Sequence, residues 1–154
     1  MANWYGTSRT NFVRVKNVEA AKASLEDFNN TIHTHPLQPD FIMISGDDDG
    51  DFSTSALVDL DDGGDEEVEL DWAEWAQKHL AEGQVLIMMS AGAEKLRYVS
   101  GYAKAYSWMG NELTITLNDI YRAIQDHWAI DMSQVADCTY ENLPASMQAE
   151  STSD

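Results

Sequence analysis

Carboxylates are the one abundant reactive group in this chain. Between Ala23 and Gln77 the sequence holds 16 Asp and Glu residues, two His and no Lys or Arg. Thirteen of them fall in three runs: Asp47, Asp48, Asp49 and Asp51; then Asp59, Asp61 and Asp62; then Asp65, Glu66, Glu67, Glu69, Asp71 and Glu74. Residues 1–22 carry four basic groups against one acid, and residues 78–154 carry five against ten. Most of the net charge of −18 therefore sits in about a third of the chain. Runs of this kind can coordinate cations, assist a metal-dependent reaction, or project a negative field at a basic partner.

Cation coordination is the reading that the spacing tests most directly. With Gly50 at the sixth position of an EF-hand loop, Ser45, Asp47 and Asp49 take the first, third and fifth, but Ala56 stands where a bidentate Glu is required. With Gly64 there, Asp59, Asp61 and Gly63 precede it and Leu70 takes the twelfth position. Both registers lack the decisive ligand. His33 and His35 could share one side of an extended segment with Asp40 nearby, which keeps a metal-dependent enzyme as an alternative, yet no His-x-x-x-His or Glu-x-x-His companion is present. His79 and His127 fall on helical faces, and Cys138 has no basic neighbour to activate it. No P-loop, dinucleotide fingerprint or nucleophile motif occurs, so no resident metal or cofactor is expected.

The remaining readings concern surfaces. Acidic Asp/Gly runs are often only solvated loops, and a binding module with such loops is a second alternative. The i, i+2 spacing of Asp47, Asp49 and Asp51, of Asp59 and Asp61, and of Asp65, Glu67 and Glu69 suggests something more specific. Alternate residues of a strand lie about 6.6 Å apart, close to the interval between phosphates along one nucleic-acid strand. Sixteen carboxylates match the charge of about 27 Å of duplex, at one charge per roughly 1.7 Å. The expected partner is then a basic nucleic-acid-binding protein or complex, engaged through Asp47, Asp48, Asp49, Asp51, Asp59, Asp61, Asp62, Asp65, Glu66, Glu67 and Glu69. Phe52 and Trp72 are the expected apolar anchors. Direct nucleic-acid binding or docking on an anionic membrane would need a basic footprint instead.

In size and in charge placement over residues 40–74, the chain resembles the small acidic inhibitors that phages and plasmids direct against host restriction or CRISPR machinery. Such proteins share a character and not a fold. The resemblance implies an anti-restriction or anti-CRISPR type of DNA mimic, non-enzymatic and acting by protein–protein contact.

The elements that would carry these residues can be read from periodicity. Asn11–Lys16 alternates as a strand, and Asn17 caps a helix to about Phe28. Phe41–Ser45 and Asp51–Asp59 read as strands joined by the GDDDG turn into a hairpin, with DDGGD breaking the pattern after them. Asp71 and Glu74 head a helix whose Trp72, Trp75, Ala76, His79 and Leu80 share one face and which Gly83 ends. Gln84–Ala91 is continuously apolar, which predicts a central strand buried on both faces.

A long strand over Leu96–Trp108 follows, with Tyr98, Tyr102, Tyr106 and Trp108 on one side. Small residues on its other side would admit a close helix. Glu112–Leu117 completes a meander, and Asn118 caps a last helix with Ile120, Ala123, Ile124 and Trp128 inward. The expected fold class is α+β: a largely antiparallel sheet of about six strands with three helices, in a single domain. That domain covers residues 1–130, includes the acidic 40–74 hairpin and loop region, and leads into a weakly structured tail over 131–154. The apolar content of 44% supports a real core. The absence of a signal-like segment or an 18-residue apolar run, with a single cysteine, suits a reducing cytoplasm. A homodimer through an apolar strand face is also compatible with the sequence.

Overall fold

The computed structural model describes residues 5–46, 50–94 and 98–136. Asp47, Asp48, Asp49 and Cys138 lie outside them, as does the expected tail from 137 onward. The fold is α+β, as the periodicity indicates. A mostly antiparallel sheet is built from β1 (Tyr5–Thr10), β2 (Val13–Arg14), β3 (Thr31–Thr34), β4 (Phe41–Ser45), β7 (Val85–Glu94), β8 (Tyr98–Ser107) and β9 (Glu112–Thr116). A separate two-stranded hairpin is formed by β5 (Ser55–Asp59) and β6 (Asp65–Glu69). The helices are α1 (Val18–Leu25), α2 (Trp72–His79) and α3 (Asp119–Trp128). No helix among the described residues is long and apolar enough to cross a membrane.

The first strand region divides at Asn11. Its side-chain amide donates to Val85 O at 3.0 Å and its side-chain oxygen accepts from Ile87 N at 2.8 Å, replacing backbone rungs to β7. The chain can then turn Val13 and Val15 into the core while Phe12 meets the His35 ring edge-on. In the main sheet β4 lies between β3 on one side and β1 with β2 on the other, β1 and β7 occupy the centre, and β8 lies between β7 and the edge strand β9. Asn17 caps α1 by accepting from Ala20 N, and Asp71 caps α2 by accepting from Ala73 N and Glu74 N. α2 stops at His79, earlier than Gly83 suggests. Leu80 is already extended and bridges to Val15, while Gly83 serves the following turn with φ +84°.

The core fills one side of the sheet. Val13, Ile42, Ile44, Leu86, Met88 and Tyr106 meet Ala21 and Leu25 of α1 and Trp72, Trp75 and Ala76 of α2. Tyr102 and Tyr106 of the β8 aromatic row belong to this side, since Tyr106 pairs with Leu86 and Tyr102 with Ser90. Four expectations need correction. The hairpin partner of β5 is β6 and not β4, which pairs with β1, β2 and β3 instead. β7 is central but buried on one face only: Leu86 and Met88 are enclosed, whereas Met89 is 59% exposed. No residue of α3 is buried, and Asn118 makes no side-chain cap; the Asp119 carboxylate accepts from Thr116 N at 2.7 Å instead. The small residues of β8 receive Leu117, which crosses Gly101, and not a helix.

Candidate acidic interface

The acidic hairpin is organised by its turn. Leu60 N donates to Gly64 O at 2.7 Å and Gly63 N to Leu60 O at 3.0 Å, leaving Asp61, Asp62 and Gly63 as a three-residue loop. Gly63 takes φ +86°, the left-handed position such loops require, and Asp62 closes the turn by accepting from Gly64 N at 2.9 Å. The DDGGD segment is therefore the hairpin turn itself.

Register decides which side chains share a face. Cα partners are Ser55 with Glu69, Leu57 with Glu67 and Asp59 with Asp65. The flanking bonds at Leu60–Gly64 and Leu70–Thr54 give the even-numbered pairs the hydrogen-bonded sites. The odd-numbered pairs occupy the other sites, where opposed Cα atoms lie only about 4.5 Å apart and side chains crowd most closely. One face thus holds Asp59, Asp65, Glu67 and Glu69 around Leu57, which is 74% exposed. Asp61 and Asp62 lie exposed in the turn at the tip. Glu66 falls on the opposite face with Ala56, Val58 and Val68.

Every one of these carboxylates is exposed, and among the described residues none has an ion-pair partner. Like charges directly opposite one another across a strand pair are destabilising. The hairpin bears that cost without an internal cation to relieve it.

The remaining predicted site residues separate. Asp51 accepts from the Tyr102 hydroxyl at 2.6 Å and from Phe52 N at 2.8 Å, so it tethers the segment before the hairpin to β8. Burial and the adjacent Asp51 carboxylate push the Tyr102 phenol well above its ordinary range. Asn30 clamps the same segment from the other side, donating to Ser53 O at 3.0 Å and accepting from Ser53 N at 2.8 Å. Phe52 and Trp72 do not serve as exposed anchors. They are 7% and 5% exposed and meet edge-to-face at 6.2 Å, because the chain entering β5 and the chain leaving β6 both pass over the core. Leu57 is the most exposed apolar group of this hairpin, ahead of Leu60 and Val68, and sequence reasoning did not single it out. Its signal was present, since a turn centred on Asp61, Asp62 and Gly63 places Leu57 opposite Glu67.

The two histidines considered for metal are engaged separately. His33 Nε2 lies 3.0 Å from Ser45 Oγ, and His35 Nδ1 accepts from Leu37 N and Gln38 N. Among the described residues no group of three His, Cys, Asp or Glu side chains converges to hold a metal. His79 is buried against Trp75, and burial together with Lys78 and Lys16 holds its imidazole below the ordinary value. Comparison with protein-family models, with curated proteins and with solved structures finds no match to this chain.

Proposed function

We propose that this chain is a non-enzymatic interaction protein that blocks a basic, nucleic-acid-binding groove on a protein partner with the β5–β6 hairpin. The observation that carries this reading is the uncompensated carboxylate face around Leu57. Within one strand Asp65, Glu67 and Glu69 recur at about 6.6 Å, comparable to the phosphate interval of a nucleic-acid strand. Lys and Arg of a groove built for phosphates would supply the counter-charge that the hairpin lacks. Exposed pairs contribute only about 0.2–1 kcal/mol each, so several must act together. Leu57 would add the desolvated contact at their centre that charge alone does not give. The setting implied is a cytoplasm where such partners work, and the mode is that of a DNA mimic of anti-restriction or anti-CRISPR type.

The test uses immobilised native chain beside a variant carrying Asp59→Asn, Asp61→Asn, Asp65→Asn, Glu67→Gln and Glu69→Gln. Each is exposed to host lysate at about 50 mM and about 200 mM salt, with duplex DNA as competitor. The expected result is a DNA-binding protein retained by the native chain at low salt, released by DNA, and lost from the variant. Equal capture by the folded variant would end the proposal.

A further inference from the structure

The side of the main sheet opposite α1 and α2 is apolar and open. Register places Thr7 and Arg9 of β1, the odd-numbered residues of β7 from Val85 to Ala93, those of β8 from Val99 to Ser107, and Leu113 and Ile115 of β9 on it. Val85, Met89, Val99, Leu113, Ile115 and Leu117 are 37%, 59%, 59%, 63%, 55% and 55% exposed. Between them lies a depression of about 350 Å³ whose floor includes Ala91, Gly101 and Ala103. Ridges and hollow thus belong to one and the same surface.

Charge selects the occupant. The chain carries −18, so a second copy is repelled from almost any approach. Among the described register positions this face holds no Asp or Glu, and its single charge is Arg9. Glu94 and Glu112 pair on the same strands but point to the other side. At these exposures the side chains named above, with the alanines between them, present on the order of 600 Å² of apolar surface, at the top of the roughly 300–600 Å² of the largest patch on a typical monomer and approaching the roughly 800 Å² per partner that stable interfaces bury.

We infer that two copies of the chain pair face to face through this side of the sheet. A two-fold arrangement requires a self-complementary surface, and Met89 and Leu113 of one copy would enter the hollow over Ala91 and Ala103 of the other, beside the Leu117 that already covers Gly101. The geometry is that of two sheets stacked about 10 Å apart. Such a dimer would carry an acidic hairpin on each copy, yet the inference stands on the sheet face alone and is independent of what the hairpins bind.

Sedimentation velocity across a range of concentrations, in about 0.15 M and about 1 M salt, tests it. The native chain should sediment as a dimer, at twice its 17.2 kDa, with association strengthened by salt because repulsion between the copies is screened. Two separate variants, Met89→Glu and Ile115→Glu, should be monomers of unchanged circular dichroism, whereas Leu57→Glu on the hairpin should remain dimeric. The native melting temperature should also rise with concentration and that of Met89→Glu should not. A native chain that is monomeric at both salt concentrations, or a dimer that survives both face variants, would overturn the inference.

Discussion

Asp59 and Asp65 stand directly opposite each other at the end of the β5–β6 ladder, in a pair site without backbone hydrogen bonds between the two residues. Two carboxylates at that spacing repel, and no cation among the described residues relieves them. Asp65→Lys turns the repulsion into an ion pair. Amide exchange across residues 55–69 should slow by up to about fivefold, the equivalent of a cross-strand charge pair. Capture of the basic partner should weaken at the same time. Stability and binding moving in opposite directions is the signature of a charge held for a partner.

Leu57 separates a binding contact from a folding contact. At 74% exposure it contributes little to the monomer, so Leu57→Ser should leave unfolding free energy within about 0.5 kcal/mol of native. Its loss from the centre of an interface should reduce affinity for the captured partner by about tenfold or more, measured by titration with that partner.

Trp72 gives the reverse result. Its ring is enclosed with Phe52 and Trp75, so Trp72→Ala should cost about 3–5 kcal/mol in denaturant unfolding. The fraction that remains folded should capture the partner as the native chain does, because the ring never reaches the acidic face.

The Tyr102–Asp51 hydrogen bond makes an alkaline prediction. Folding raises the phenol above its ordinary 10.0, because burial and the carboxylate favour the neutral form. The stability this supplies is fully present below about pH 10 and is lost as pH rises beyond it. Tyr102→Phe should therefore cost about 0.5–1.5 kcal/mol at pH 8, and less as pH climbs past 10, in urea unfolding at the two values. A tyrosine titration followed by ultraviolet absorbance should show one fewer late-ionising phenol in the variant.

Capping and helical periodicity were legible without coordinates at α1 and α2, though not at α3, whose Asn118 makes no cap and whose residues are not buried. Asp71 accepts from Ala73 and Glu74, and the face built by Trp72, Trp75, Ala76 and His79 is enclosed as its spacing requires. The α+β class and the central position of β7 followed from runs whose length and alternation are local properties. Composition likewise settled the sign and concentration of charge before any fold was known.

Tertiary structure alone decided what each apolar surface meets. Phe41–Ser45 and the segment leading to Asp59 look like adjacent hairpin strands, yet the first pairs with three strands from elsewhere and the second with Asp65–Glu69. Strand partners depend on contacts distant along the chain, and alternation cannot rank them. The same holds for the continuous apolar run of β7: hydrophobicity calls for a covering layer, but only assembly of the domain shows α1 and α2 over Leu86 and Met88 while Met89 stays exposed. Leu57 exposed among carboxylates and Met89 exposed on the open sheet are both products of that long-range pairing. Charge is written into composition, whereas the surface on which it is displayed is set by packing.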